Sequence, residues 1–184
     1  MKLEDAQRHA DALLNLLSPA CSSIQVVGSV RRQEPEVKDI EVLCVPHLAL
    51  DLFGEPLTDA PHAVKVLLER EGVAPRLNVN GHRIAWGQRF IAGVWRGEPI
   101  DVFCCLPPAQ WGCLLAIRTG PAEYSQALMT RAIERGLRCV DGRLVRPETG
   151  EEVDRPGPCE VYTEELFFHA LGLEWVPPKE RRSP

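Results

Sequence analysis

Three carboxylates and one glycine-serine turn are the residues of this sequence whose spacing could do chemistry. In VVGSVRRQEPEVKDIEVLCV, residues 26–45, an apolar run stops at Gly28-Ser29, passes Arg31 and Arg32, and resumes around Asp39 and Glu41. In a strand, residues i and i+2 face the same way, so Asp39 and Glu41 project together while Ile40 and Val42 face the other side. Two carboxylates held side by side repel unless a cation sits between them. A third acid, Asp101, opens IDVFCCL, where Ile100, Val102 and Leu106 again mark a buried strand. With those strands as neighbours, three oxygen ligands converge, a set that suits Mg²⁺ or Mn²⁺. The alternative is a pair of acids on a solvated sheet face. Gly28-Ser29 bears on the choice, because backbone N–H groups and a hydroxyl at a tight turn can cradle phosphate, with Arg31 and Arg32 adding charge-assisted donors.

The elements that must position these groups read as follows. Leu3, Ala6, Ala10, Leu13, Leu14 and Leu17 recur at helical spacing until Ser18-Pro19 ends the element. Short strands are expected over residues 23–27 and 39–45, the second closed by Pro46. A helix is expected over about residues 58–71, with Thr58 or Asp59 as N-cap, Pro61 in its first turn and Gly72 after it. From residue 75 to 106 the pattern alternates: RLNVN, an Asn80-Gly81 turn, HRIAWG, FIAGVW, a turn at Arg96-Gly97-Glu98-Pro99, and IDVFCCL. Trp86 and Trp95 are expected in the core. Pro107-Pro108 open a helix to about Arg118, a second helix runs from about Pro121 to Glu134, and LRCVDGRLVRP is a hairpin turning at Asp141-Gly142. PETGEEVDRPGPCE reads as loop. Thr163-Glu164-Glu165 starts a last helix that stops at Gly172, and the PPKERRSP tail is expected to fray. The fold class is α/β (α+β), a mixed sheet flanked by helices over residues 1–118 and a smaller α/β domain over residues 119–184.

The 184 residues, 45% of them apolar, suit a globular fold with a real core. No apolar stretch reaches membrane-spanning length, and residues 1–17 read as an amphipathic helix rather than a signal peptide, so the cytoplasm is the expected location. Seven cysteines without paired CxxC spacing read as reduced, mostly buried thiols. A net charge of −5 argues against strong nonspecific nucleic-acid binding, so any polyanion must meet a local basic patch. Arg131, Arg135, Arg138, Arg143 and Arg146 supply a candidate patch, against the plainer reading of a solvated helix and hairpin.

A Gly-Ser turn, arginines, a spacer, D-x-[DE] in a strand and a later single Asp together resemble the polymerase-beta-like nucleotidyltransferase superfamily. RTGPAEYSQALMTRAIERGLRCVDGRLVRP and YTEELFFHALGLEWVPPKER are similar to the thumb and closing segment of family X DNA polymerases. The resemblance covers about residues 22–182 and implies a nucleotidyltransferase palm with an N-terminal helix (residues 1–118) and a thumb (residues 119–184). Only about 20 residues precede the first strand, so a minimal form without lyase and fingers regions is expected.

By that resemblance, Asp39, Glu41 and Asp101 bind two Mg²⁺ ions, or Mn²⁺. Gly28, Ser29 and Arg32 hold the β and γ phosphates of a dNTP or NTP, with Lys38 and Arg118 as further nucleotide contacts. Thr119 and Gly120 lie against the sugar, and Ser125 faces the base edge. Arg131, Arg135 and Arg143 contact DNA, either gapped or primer-template. The implied activity is Mg²⁺-dependent addition of nucleotides to a DNA 3′ end by a monomer, as in gap filling during repair. Three departures stand against the family pattern. Glu41 replaces the usual Asp, Ile117-Arg118 replace aromatic residues near the ribose, and Met129 replaces an arginine near the template. They keep two alternatives open, nucleotidylation of a protein, RNA or small molecule, and a catalytically weak nucleic-acid-binding protein.

Overall fold

The computed structural model describes residues 1–53, 57, 61–106, 109–153 and 162–182. Contacts divide the chain into two units, Met1–Val26 with Glu34–Leu106, and Val27–Gln33 with Pro107–Pro184.

In the first unit, helix α1 (Leu3–Leu17) buries Ala6, Ala10, Leu13 and Leu17, the single stripe that its sequence period demands. That stripe belongs to a helix packed on strands β1 (Cys21–Val26) and β2 (Ile40–Pro46). Three further strands, β3 (Ala74–Pro75), β4 (Phe90–Trp95) and β5 (Glu98–Cys104), complete a mixed sheet in the order β1-β2-β5-β4-β3. β2 and β5 run parallel; β1 with β2, β4 with β5 and β3 with β4 run antiparallel. The β4–β5 hairpin closes through Arg96 and Gly97, both at positive φ (52° and 84°), the backbone of a two-residue type I′ turn.

Three sequence expectations in this unit are corrected. Helix α3 (Ala63–Arg70) starts after Pro61, with buried His62 as its cap: the imidazole Nδ1 accepts the Lys65 N–H at 3.2 Å. Thr58 and Asp59 lie outside the described residues. RLNVN and HRIAWG form only isolated bridges, Leu77 with Arg83 and Trp86 with Ile91. The Asn78 carboxamide takes the N–H groups of Asn80 and His82, so turn bonds replace a ladder, and Val79 is fully exposed with no face to bury it. Trp95 is buried as expected, whereas Trp86 is half-buried and donates to Glu69.

The second unit contains a one-turn helix α2 (Gly28–Arg31), helices α4 (Trp111–Thr119), α5 (Ala122–Glu134) and α6 (Glu164–Ala170), and a hairpin of β6 (Arg138–Val140) and β7 (Arg143–Val145). Cys113, Ala116, Leu128, Ala132, Leu144, Phe167 and Phe168 are buried in one cluster. The hairpin turns at Asp141-Gly142, both at positive φ. Thr163 caps α6 by accepting the Leu166 N–H, and Gly172 at φ 66° follows it. Pro107-Pro108 and most of PETGEEVDRPGPCE lie outside the described residues. Over its described residues, to 182, the tail does not fray: Pro178–Glu180 form a 3₁₀ turn and Arg181 is 1% exposed. Six described cysteines are free thiols, Cys139 half-buried and the others buried; Cys159 lies outside the described residues. Among the described residues no helix is long and apolar enough to cross a membrane.

Gly112 shows how closely α4 meets the start of α6. A Cβ there would lie 2.1 Å from the Thr163 carbonyl oxygen and 2.2 Å from its carbon. Alanine ordinarily gains about 1 kcal/mol over glycine inside a helix, but a backbone collision of this size outweighs it. Gly112→Ala is therefore expected to destabilise by about 2 kcal/mol or more, read as a lowered urea midpoint. An unchanged or raised midpoint would contradict this packing.

Candidate active site

The acids are placed by sheet register. Glu41 of β2 is the partner of Asp101 in β5, and Asp101 is the partner of Ala92 in β4. The Arg76 N–H, just past β3, donates to the Ala92 carbonyl at 2.9 Å. Glu41, Asp101, Ala92 and Arg76 thus stand in one row across the sheet. Successive strands are about 4.8 Å apart, so an arginine can reach the second strand over only if the residue between is small. Alanine fills that position here and is completely buried.

Arg76 makes that reach. Its Nη2 donates to Asp101 Oδ1 at 2.6 Å, and its Nη1 lies 3.9 Å from Asp39 Oδ2. Asp39 sits one residue before β2, and its side chain is 32% exposed against 11% for Asp101. Glu41 is half-buried. Two of the three expected acids therefore share a single cation, and the third is in register beside them. As a donor set, three carboxylates suit a hard divalent ion. As arranged, no three acidic, histidine or cysteine side chains among the described residues gather closely enough to hold one. A metal fits the residue types, and it would compete with Arg76 for their charge.

The expected phosphate turn belongs to the second unit. Gly28 adopts φ 61°, which a residue with a Cβ takes only with strain, and starts α2 buried, with Ser29 half-buried after it. Arg31 and Arg32 separate in role. Arg31 binds Glu164 through both terminal guanidinium nitrogens, Nη1 and Nη2, at 2.9 and 3.0 Å, and also donates to the Thr119 hydroxyl. Arg32 donates to the Thr119 carbonyl at 2.7 Å. Thr119 is fully buried, Gly120 follows it at the end of α4, and the Ser125 hydroxyl donates to the Ile117 carbonyl at 2.6 Å, tying α5 to α4. Arg118 and Lys38 are exposed. The structure thus brings Gly28, Ser29, Arg32, Thr119, Gly120 and Ser125 into one unit, and Asp39, Glu41 and Asp101 into the other.

The three arginines expected on DNA make contacts inside the second unit. Arg131 and Arg135 donate to the Leu171 and Ala170 carbonyls at the C-terminal end of α6, which orphan carbonyls there invite. Arg131 also meets Glu134, and Arg143 pairs with Glu152 at 2.7 Å.

Sequence reasoning missed Arg76, Arg181 and the role of Glu164. Glu164 is 4% exposed and receives Arg31, Arg181 (2.6 Å) and the Trp175 indole N–H (3.0 Å). Burial alone would push its pKa up; the bonds from Arg181, Arg31 and Trp175 outweigh it and hold the carboxyl below its ordinary value. An arginine standing alone in an apolar stretch, as in VAPRLNV, is the one signal that could have marked Arg76; nothing local marks Arg181.

Residues 114–182 match the family model described as DNA polymerase beta thumb. The C-terminal part of the chain is therefore similar to a polymerase-beta-type thumb. No curated protein matches the chain.

Because the folded pKa of Glu164 is depressed, its contribution to stability is present above the unfolded value of about 4.3 and is lost as pH falls through the lower folded value. Glu164→Gln leaves two guanidiniums, one wholly buried, short of a counter-charge. It is expected to destabilise by about 3 kcal/mol at pH 7 and to flatten the stability profile below about pH 4.3. Urea denaturation of both proteins between pH 7 and pH 3 checks the magnitude and the sign.

Proposed function

We propose that the protein is a Mg²⁺-dependent nucleotidyltransferase of the DNA polymerase X type, adding nucleotides from dNTPs or NTPs to a DNA 3′ end, as gap filling requires. One observation carries this reading: Asp39 and Asp101 converge on one cation, with Glu41 in register beside Asp101. The thumb match adds independent weight.

On this reading Asp39, Glu41 and Asp101 hold Mg²⁺ or Mn²⁺, which supplies positive charge to the attacking and leaving oxygens of a phosphoryl transfer. Gly28, Ser29 and Arg32 take the triphosphate, with Lys38 and Arg118 as exposed cations for the same ligand. Thr119 and Gly120 bound the sugar. Ser125 keeps acceptor lone pairs for a base edge, since its hydroxyl proton is already engaged. DNA would meet the donors that Arg131, Arg135 and Arg143 retain beyond their internal contacts, each guanidinium carrying five N–H groups.

Those internal contacts favour a second reading, transfer to a protein, RNA or small-molecule acceptor, because they leave the thumb a weaker basic face than its arginine count suggests. Primer extension with each dNTP and NTP, with and without template, separates the two. Asp101→Asn is expected to lower incorporation on a gapped duplex by about 100-fold or more, with the fold intact by circular dichroism. Full incorporation by that variant would end the polymerase reading. Nucleotide consumption without primer extension would favour the other acceptor.

A further inference from the structure

We propose that Arg76 is a built-in counter-cation that occupies the position of the divalent ion and sets how tightly the acid row binds it, leaving Asp101 when the ion arrives. The inference rests on the metal reading given above and extends it to a residue outside the expected ligand set.

The geometry supports exchange rather than a fixed tie. The Arg76 backbone is anchored, its N–H on Ala92 and its carbonyl receiving the Ile84 N–H at 2.9 Å, so the side chain alone must move. Its reach crosses Ala92, whose single methyl group leaves a channel for the guanidinium. The side chain is 22% exposed, which gives it a route toward water when displaced. Contact is also uneven, 2.6 Å to Asp101 and 3.9 Å to Asp39, so one close bond holds the arrangement. The pair is mostly buried, with side chains 22% and 11% exposed, so parting it is costly unless another cation takes the guanidinium's place on the acid, which is what an arriving divalent ion does. Two cations cannot share one cluster of carboxylates without mutual repulsion, so ion and guanidinium are coupled negatively.

The test measures metal binding directly, from the electron paramagnetic resonance signal of free Mn²⁺, for the wild type, Arg76→Gln, Arg76→Lys and Asp101→Asn. Removing the guanidinium is expected to tighten Mn²⁺ binding by about fivefold or more, with lysine intermediate. Asp101→Asn is expected to weaken it. If wild type and Arg76→Gln both fail to bind Mn²⁺, the metal reading itself falls. If the wild type binds and Arg76→Gln binds equally or more weakly, the role given to Arg76 is wrong while the metal reading stands. A second measurement needs no variant at Arg76 to fold. The Arg76 Nε–H resonance of the ¹⁵N-labelled wild type, assigned by its loss in Arg76→Lys, is expected to move on Mg²⁺ addition toward the position of exposed arginines. A resonance that stays in place at saturating Mg²⁺ overturns the exchange.

Discussion

Burying Glu164 obliges the second unit to gather cations around it. A carboxylate at 4% exposure carries a desolvation cost that only several good donors can offset, and here the donors come from far-apart segments. Arg31 arrives from α2, Arg181 from just after the 3₁₀ turn at residues 178–180, and Trp175 from the stretch between α6 and that turn. Arg31 also reaches the Thr119 hydroxyl, and Arg32 the carbonyl of the same residue, so the end of α4 is fixed by the same set. One acid thereby organises the backbone around the Gly28-Ser29 turn and the Thr119-Gly120 corner.

The first unit treats its acids differently, and the contrast is instructive. Glu164 receives two guanidiniums and an indole, and both guanidiniums make further contacts. Arg181, for instance, also donates to the Val176 carbonyl at 2.9 Å. Among the described ion pairs of Asp39 and Asp101, the cation is one arginine on a reach across Ala92, partly open to water. Exposure marks the difference: the Arg76 and Asp39 side chains are 22% and 32% exposed, while Glu164 is 4% exposed.

Much of this was legible because it is local. Gly72, Gly172 and the Asp141-Gly142 turn each answer a backbone requirement within a few residues, and the stripe of α1 follows its own period. The strands expected over residues 39–45 and from Ile100 were legible for the same reason, since acids set among aliphatic residues define a face wherever the strand is placed, although β5 begins at Glu98, a residue expected in the turn. RLNVN misled because Asn78 offers its neighbours a turn that competes with a ladder, a choice settled by packing and not by pattern. Arg76 and Arg181 were illegible because their partners stand 25 and 17 residues away, and no property of PRLNV or KERRS names an acid at that distance.

The pairing of Arg31 with Glu164 joins residues 133 positions apart. Seen in time rather than in space, it makes the second unit a late assembly. The segment at residues 27–33 is made before its buried partner and stays without it while the 133 positions between Arg31 and Glu164 are added. Contacts of such long sequence separation carry a high loop-closure cost and form slowly. Local helices such as α4 and α5 can form as soon as they are made, while the corner that Arg31 and Arg32 fix must wait for α6. The order in which the second unit assembles is thus written in the spacing of one ion pair.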